Sequence, residues 1–252
     1  MSGARCIVLL AASLAPAIAF AQPEPAAAGG RVDQIERAVR SRVGETIRIV
    51  NAHGDVRVRA VPAGAPASLR ATVQSTGGEA AARVDAGEHE RGPVYAVAAT
   101  DADALLRVDV VLALPDRAGL DVRLERGDFT MHPARYPVRV RAQAGDVTLR
   151  TLGPVDARVW SGHLVYNPPG GVAPGGGRLQ TSAAPVDVLV RNAGPLAFRV
   201  VSGAAVTTDS AALLQSRSRD GRALLFGDHD DAAVLDIRTD HAPVRLVVEG
   251  HR

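Results

Sequence analysis

The chain has 252 residues, a formal net charge of +2, 46% hydrophobic residues and only 3% aromatic ones. That length can bury a core without disulfide or metal staples. All 29 of its basic residues are Arg, and no basic cluster is interleaved with aromatics, so the composition argues against a nucleic-acid partner.

Residues 1–21 read as an export signal. Arg5 is the only charge before the apolar run from Ile7 to Phe20, and Ala19-Phe20-Ala21 has the small-x-small form of a cleavage site. The run is short and interrupted by Ala and Pro, which disfavours a membrane span of roughly 20 apolar residues. Cys6, the only cysteine, would leave with the signal, so the exported chain is expected to carry neither thiol nor disulfide. Residues 22–30 form a Pro/Ala/Gly linker. From Arg31 to Val43 the pattern is ambiguous: Val32, Ile35, Val39 and Val43 fit a helical stripe, while Val39 to Val43 also alternates like a strand.

One short pattern then recurs: apolar alternation, a turn that is often Gly-Asp, and alternation again. It is seen in IRIVNAHGDVRV, LDVRLERGDFTM, VRVRAQAGDVTL, ARVWSGHLVY, LQTSAAPVDVLV, FRVVSGAAVTT, LQSRSRDGRALL and LDIRTDHAPVRLV. A unit too small to bury its own apolar face must stack on its copies. Taking the turns at Gly54, Gly127, Gly145, Gly162, Val186, Gly203, Gly221 and Ala242, the basic step is 17 to 18 residues. The longer steps contain a Pro/Gly insertion (Asn167 to Gly177), a polar one (Gly227 to Ala233) and a 73-residue interval after Gly54. The inward pairs are expected to be Ile47/Ile49, Leu120/Val122, Val138/Val140, Val155/Ala157, Leu196/Phe198 and Leu235/Ile237. Within the long interval, Leu69 to Gln74, Val94 to Ala98 and Leu105 to Leu114 read as strands of a small antiparallel layer that caps the stack. The expected fold is all-β: a single-domain β-solenoid over residues 31–252, with coils of about 17 residues and an inserted antiparallel layer near its N-terminal end.

The opening NAHGDVRV, the inserted RVDVVLALP and the serial LERGDFTM and AQAGDVTL resemble the bacterial putative-adhesin family, a domain of unknown function with repeated Gly-Asp turns. The likeness covers roughly Gly44 to Gly250. It implies an exported β-solenoid, periplasmic or extracellular, and brings no catalytic residues with it. In the later copies Gly-Asp gives way to Gly-His, Val-Asp, Gly-Ala, Gly-Arg and Ala-Pro.

Aligning the copies places Arg123, Arg141, Arg158, Ser182, Arg199, Arg217 and Arg238 in one outward column. Like charges opposite one another weaken a sheet, so such a ladder must be offset by acids, solvent or an anionic ligand. It reads either as a solvated face or as a cationic strip for phosphate- or carboxylate-bearing envelope glycans. Trp160 and Tyr166 suggest a sugar-stacking pair, although the alternation turns Tyr166 inward. Stacked Asp128 and Asp146 raise a shared cation as a further possibility, and Asp228, His229, Asp230 and Asp231 form the densest acidic cluster, best read as a surface turn. Neither a Ser-nucleophile motif, HExxH nor a phosphate loop is present. The expectation is a non-catalytic envelope scaffold or adhesin-like binder without cofactor, metal site or transmembrane span after signal removal. Its ligand residues would be Arg123, Arg141, Arg158, Arg199, Arg217 and Arg238, and its partner an anionic envelope polysaccharide or an envelope protein. The alternatives are a β-helix-type carbohydrate-active enzyme using acids near Asp228 to Asp231, and a protein-binding module in envelope-stress signalling.

Overall fold

The computed structural model describes residues 30–62, 64–76, 81–115, 118–173, 175–191, 196–227 and 233–249. The export signal, nearly all of the linker and the acidic cluster Asp228 to Asp231 lie outside them.

The described chain is all-β apart from one short helix. Its strands are β1 (Arg31–Ala38), β2 (Thr46–His53), β3 (Val56–Val61), β4 (Ser68–Ser75), β5 (Ala82–His89), β6 (Gly92–Ala99) and β7 (Leu105–Pro115), followed by β8 (Gly119–Arg126), β9 (Phe129–Met131), β10 (Val138–Ala144), β11 (Val147–Leu149), β12 (Val155–Ser161), β13 (Leu164–Tyr166), β14 (Gly177–Thr181) and β15 (Val186–Arg191). After these come β16 (Leu196–Ser202), β17 (Val206–Thr208), the helix α1 (Ala211–Gln215), β18 (Ala223–Phe226), β19 (Ala233–Thr239) and β20 (Val244–Glu249).

They form two ten-stranded sheets. The first runs β1-β4-β7-β3-β9-β11-β13-β15-β20-β17 and the second β18-β16-β19-β14-β12-β10-β8-β2-β6-β5. From β6 to β17, and again in β19 and β20, successive strands alternate between the two sheets, and β2, β8, β10, β12, β14, β19 and β16 of the second sheet pair with one another in parallel. In the second sheet Ile47 lies beside Leu120, Leu120 beside Val138, and Val138 beside Val155. Strict alternation points these residues into one shared core with Val56, Phe129, Val147, Leu164, Val186 and Val244 of the first sheet, all buried. Tyr166 is fully buried, as its inward parity requires.

Gly-Asp is a stacking device. Gly54, Gly127, Gly145 and Gly162 all have φ between +116° and +131°. A Cβ on any of them would overlap a backbone carbonyl of the neighbouring layer, that of Val108 in β7 for Gly54 and that of the preceding corner glycine for the other three, so only Gly fits. The acids staple the same corner. Asp128 N–H donates to Asp55 Oδ1 at 2.9 Å, and Asp146 N–H to Asp128 Oδ1 at 2.8 Å. Where Gly-Asp is lost, an inward hydroxyl closes the corner instead: Thr181 Oγ1 donates to Ala184 O, and Thr239 Oγ1 to Ala242 O.

Four expectations change. The regular coil spans only three rungs: β8, β10 and β12 are offset by 18 and 17 residues, and β12 to β14 by 22. The last rung is not last in space, because β19 and β20 slot between the rungs β14/β15 and β16/β17. The copy LQSRSRDGRALL is not a rung at all: its residues form part of α1 and the strand β18, antiparallel to β16 at the sheet end. The expected cap is not a separate layer. It extends both sheets, with β1, β4 and β7 antiparallel at the end of the first and β5 antiparallel to β6 at the end of the second. In the ambiguous segment from Arg31 to Val43 the strand is Arg31–Ala38, the edge strand β1, and Val39 to Val43, where strand-like alternation is seen in the sequence, lies outside any strand.

Candidate functional site

The outer face of the second sheet carries three side-chain columns, because every second residue of β8, β10, β12, β14 and β19 points out and the strands stack in register. The first column reads Arg48, Asp121, Arg139, Asp156, Arg178, Asp236 and Arg199, an unbroken alternation of charge across seven strands. Arg48 makes Nε and Nη2 bonds of 3.0 and 2.9 Å to Asp121 Oδ2, and Arg139 Nε reaches Asp156 at 3.1 Å. Asp121 is deeply enclosed, its side chain only 4% exposed. An opposite-charge pair on adjacent strands stabilises a sheet by roughly 0.2–1 kcal/mol.

The second column reads Val50, Arg123, Arg141, Arg158, Gln180, Arg238 and Val201. Here three guanidinium groups follow one another on adjacent strands. Arg158 lies 3.9 Å from Asp156 and Arg238 lies 3.2 Å from Asp236. Arg123 and Arg141 make no ion pair with any described residue. Two unit charges at strand spacing repel by about 1 kcal/mol in water, and a bridging anion would reverse the sign.

Three ladder assignments fail. Arg199 lies beside Asp236 in the first column, because the large side chains Phe198 and Val200 take the inward places opposite Leu235 and Ile237 and shift β16 by two residues. Arg217 follows α1, outside the rungs, where Nη1 donates to Val206 O at 3.1 Å. Gln180, rather than Ser182, follows Arg158, since the corner of that rung is Thr181 to Ala184 and the turn does not sit at Val186.

The third column reads Glu125, Gln143, Trp160, Ser182 and Asp240. Trp160 is 69% exposed, so it is no part of the core that holds Tyr166. The second and third columns flank a shallow groove of about 950 Å³. Alternation alone makes Trp160 outward, one step beyond Arg158. Tyr166 lies on the other sheet, and the register sets Trp160 beside Gln143 and Ser182.

Elsewhere, His163 Nε2 and Asp187 Oδ2 are 3.1 Å apart on the first sheet. Asp128 Oδ1 is occupied by the backbone of Asp146. No described helix is long and apolar enough to cross a membrane.

No protein-family model matches the chain. No curated protein matches its sequence. Among solved structures, the chain is similar to a putative cell adhesion protein from Clostridium sporogenes, with 8% identity, 86% of this chain and 100% of that one covered, and a TM-score of 0.46. It is also similar to putative adhesins from Bacteroides fragilis (8% identity, 87% and 97% covered, TM-score 0.29) and Parabacteroides merdae (11% identity, 87% and 96% covered, TM-score 0.31). All three are named for adhesion. Those names match the family that the Gly-Asp turns resemble. What the groove can hold follows from its own side chains.

Proposed function

We propose that this protein is an exported, non-catalytic binding module of the cell envelope that holds anionic glycans in the groove of its second sheet. The observation that carries the reading is the run Arg123, Arg141, Arg158 on three adjacent strands, two of them without an ion-pair partner among the described residues. Guanidinium forks suit carboxylate and phosphate, which they meet through paired hydrogen bonds. The aspartates alongside are engaged with Arg48, Arg139 and Arg238, so they brace the sheet and are not offered as proton donors. In this reading residues 1–21 direct export, residues 22–30 are a linker, and the solenoid-like stack displays the strip.

The test is binding of the purified protein to carboxylate- and phosphate-bearing envelope glycans across a salt series, beside an Arg123→Gln, Arg141→Gln, Arg158→Gln variant. Wild-type binding should saturate and weaken with salt, and the variant should lose at least tenfold while keeping its melting temperature. Equal binding by both proteins would remove the strip from the mechanism. Loss of folding in the variant would make it structural.

A further inference from the structure

The two sides of the groove differ in chemistry, and the difference narrows the ligand. Arg123, Arg141 and Arg158 offer positive charge on one side. On the same three strands the other side offers Glu125, Gln143 and the exposed indole of Trp160. Glu125 and Asp240 make no ion pair with any described residue, and as carboxylates they can only accept hydrogen bonds. A ligand that satisfies the whole groove carries acidic groups, hydroxyl donors and a ring with an apolar face. A polyphosphate supplies only the first, and has no hydroxyl to donate to Glu125 and Asp240.

We infer that the groove binds a linear polysaccharide of uronic-acid residues, laid across the strands, with carboxylates on Arg123, Arg141 and Arg158 and one pyranose face on Trp160. The inference rests on the anionic-glycan reading above and gives it a ligand class. Strands stack about 4.8 Å apart, close to the length of one pyranose unit in an extended chain, so the polymer advances about one sugar per strand. The long guanidinium arms reach carboxylates on either edge of such a chain. From Arg123 to Arg238 the groove crosses β8, β10, β12, β14 and β19, about 19 Å, which makes a footprint of about five sugars.

Trp160 is the only tryptophan of the chain, so its emission reports on the groove directly. The experiment titrates the purified protein with oligogalacturonates of increasing length, a neutral gluco-oligosaccharide, inorganic polyphosphate and a single-stranded oligonucleotide, with calorimetry on a Trp160→Ala variant. Affinity should rise with uronate length and level off near five units, with a change in Trp160 emission. The variant should bind about fivefold more weakly or worse while melting as the wild type does. Uronate binding without length dependence, or binding indifferent to Trp160, overturns the inference. Polyphosphate binding through the Arg run without uronate binding also overturns it, yet leaves the anion-binding strip in place. No binding of any acidic ligand ends both readings, and preference for the oligonucleotide replaces the ligand class.

Discussion

At Gly145 the backbone has φ +130°, and a Cβ there would overlap the carbonyl oxygen of Gly127 in the rung below. The substitution Gly145→Ala therefore carries two costs, a left-handed backbone for an L residue and a steric overlap that only a separation of rungs can relieve. Together these should remove about 3 kcal/mol or more, lowering Tm by about 6 °C or more for a domain of this size. Gly87 is the control. It lies in β5, where an added methyl group would meet no atom within 4 Å and the backbone has no positive φ, so Gly87→Ala should stay within about 0.5 kcal/mol of wild type. Thermal melts of the two variants side by side check the pair, and equal losses would show that the corner glycines are not required by stacking. The recurring Gly-Asp is legible in the sequence, but its reason is not. The sequence displays the dipeptide, whereas the contact that demands it is with a backbone carbonyl far along the chain, that of Val108 for Gly54, Gly54 for Gly127 and Gly127 for Gly145.

Between neighbouring strands, the column Arg48, Asp121, Arg139, Asp156, Arg178, Asp236, Arg199 makes unequal contributions along its length. Asp121 is enclosed and bonded to Arg48, so Arg48→Met leaves a buried carboxylate short of its main partner, which should cost about 3 kcal/mol. A double variant, Arg48→Met with Asp121→Leu, removes both charges and should recover most of that loss. The exposed Arg238 should matter far less: Arg238→Gln should cost under about 1 kcal/mol. Urea unfolding of the four proteins provides the check, and a double variant no more stable than Arg48→Met alone would refute the pairing. Counting two residues back from the Arg column finds Asp121, Arg139, Asp156 and Asp236 of this column and misses the members between Asp156 and Asp236 and beyond. The Asn167 to Gly177 insertion and the Thr181 corner move the next rung by two residues, so that Gln180 stands where Ser182 is expected and Arg178 comes beside Asp156. Phe198 and Val200 shift β16 in the same way, so that Val201 stands where Arg199 is expected and Arg199 comes beside Asp236. Counting back from a turn works only while the turns share one chemistry, and here Gly-Asp corners give way to Thr and Ser corners part-way along the stack.

Across the whole molecule, the sequence implies that rungs stack in chain order, and the C-terminal end departs from this for a topological reason. The chain leaves β15, builds β16, β17, α1 and β18, and only then returns with β19 and β20 to fill the place between β14/β15 and β16/β17. The rung β16/β17 consequently touches the rest of the stack through the last two strands, pairing with β19 in one sheet and β20 in the other. In a serial array, removing the last repeat deletes one interface and leaves its neighbours folded. Here truncation after Gly227 removes the strands that join residues 196–226 to everything before them. The truncated chain should therefore lose protection from hydrogen exchange throughout β16 to β18, while β8 to β13 stay protected, since their neighbours are untouched. Protection retained in β16 to β18 would mean that this rung can dock directly on β14/β15, and that the inserted order is a preference of the full chain and no condition of folding. Because the groove extends as far as Arg238 on β19, the same truncation should shorten the binding strip at one end. Arg123, Arg141 and Arg158 would remain in place, so anion binding should weaken without disappearing.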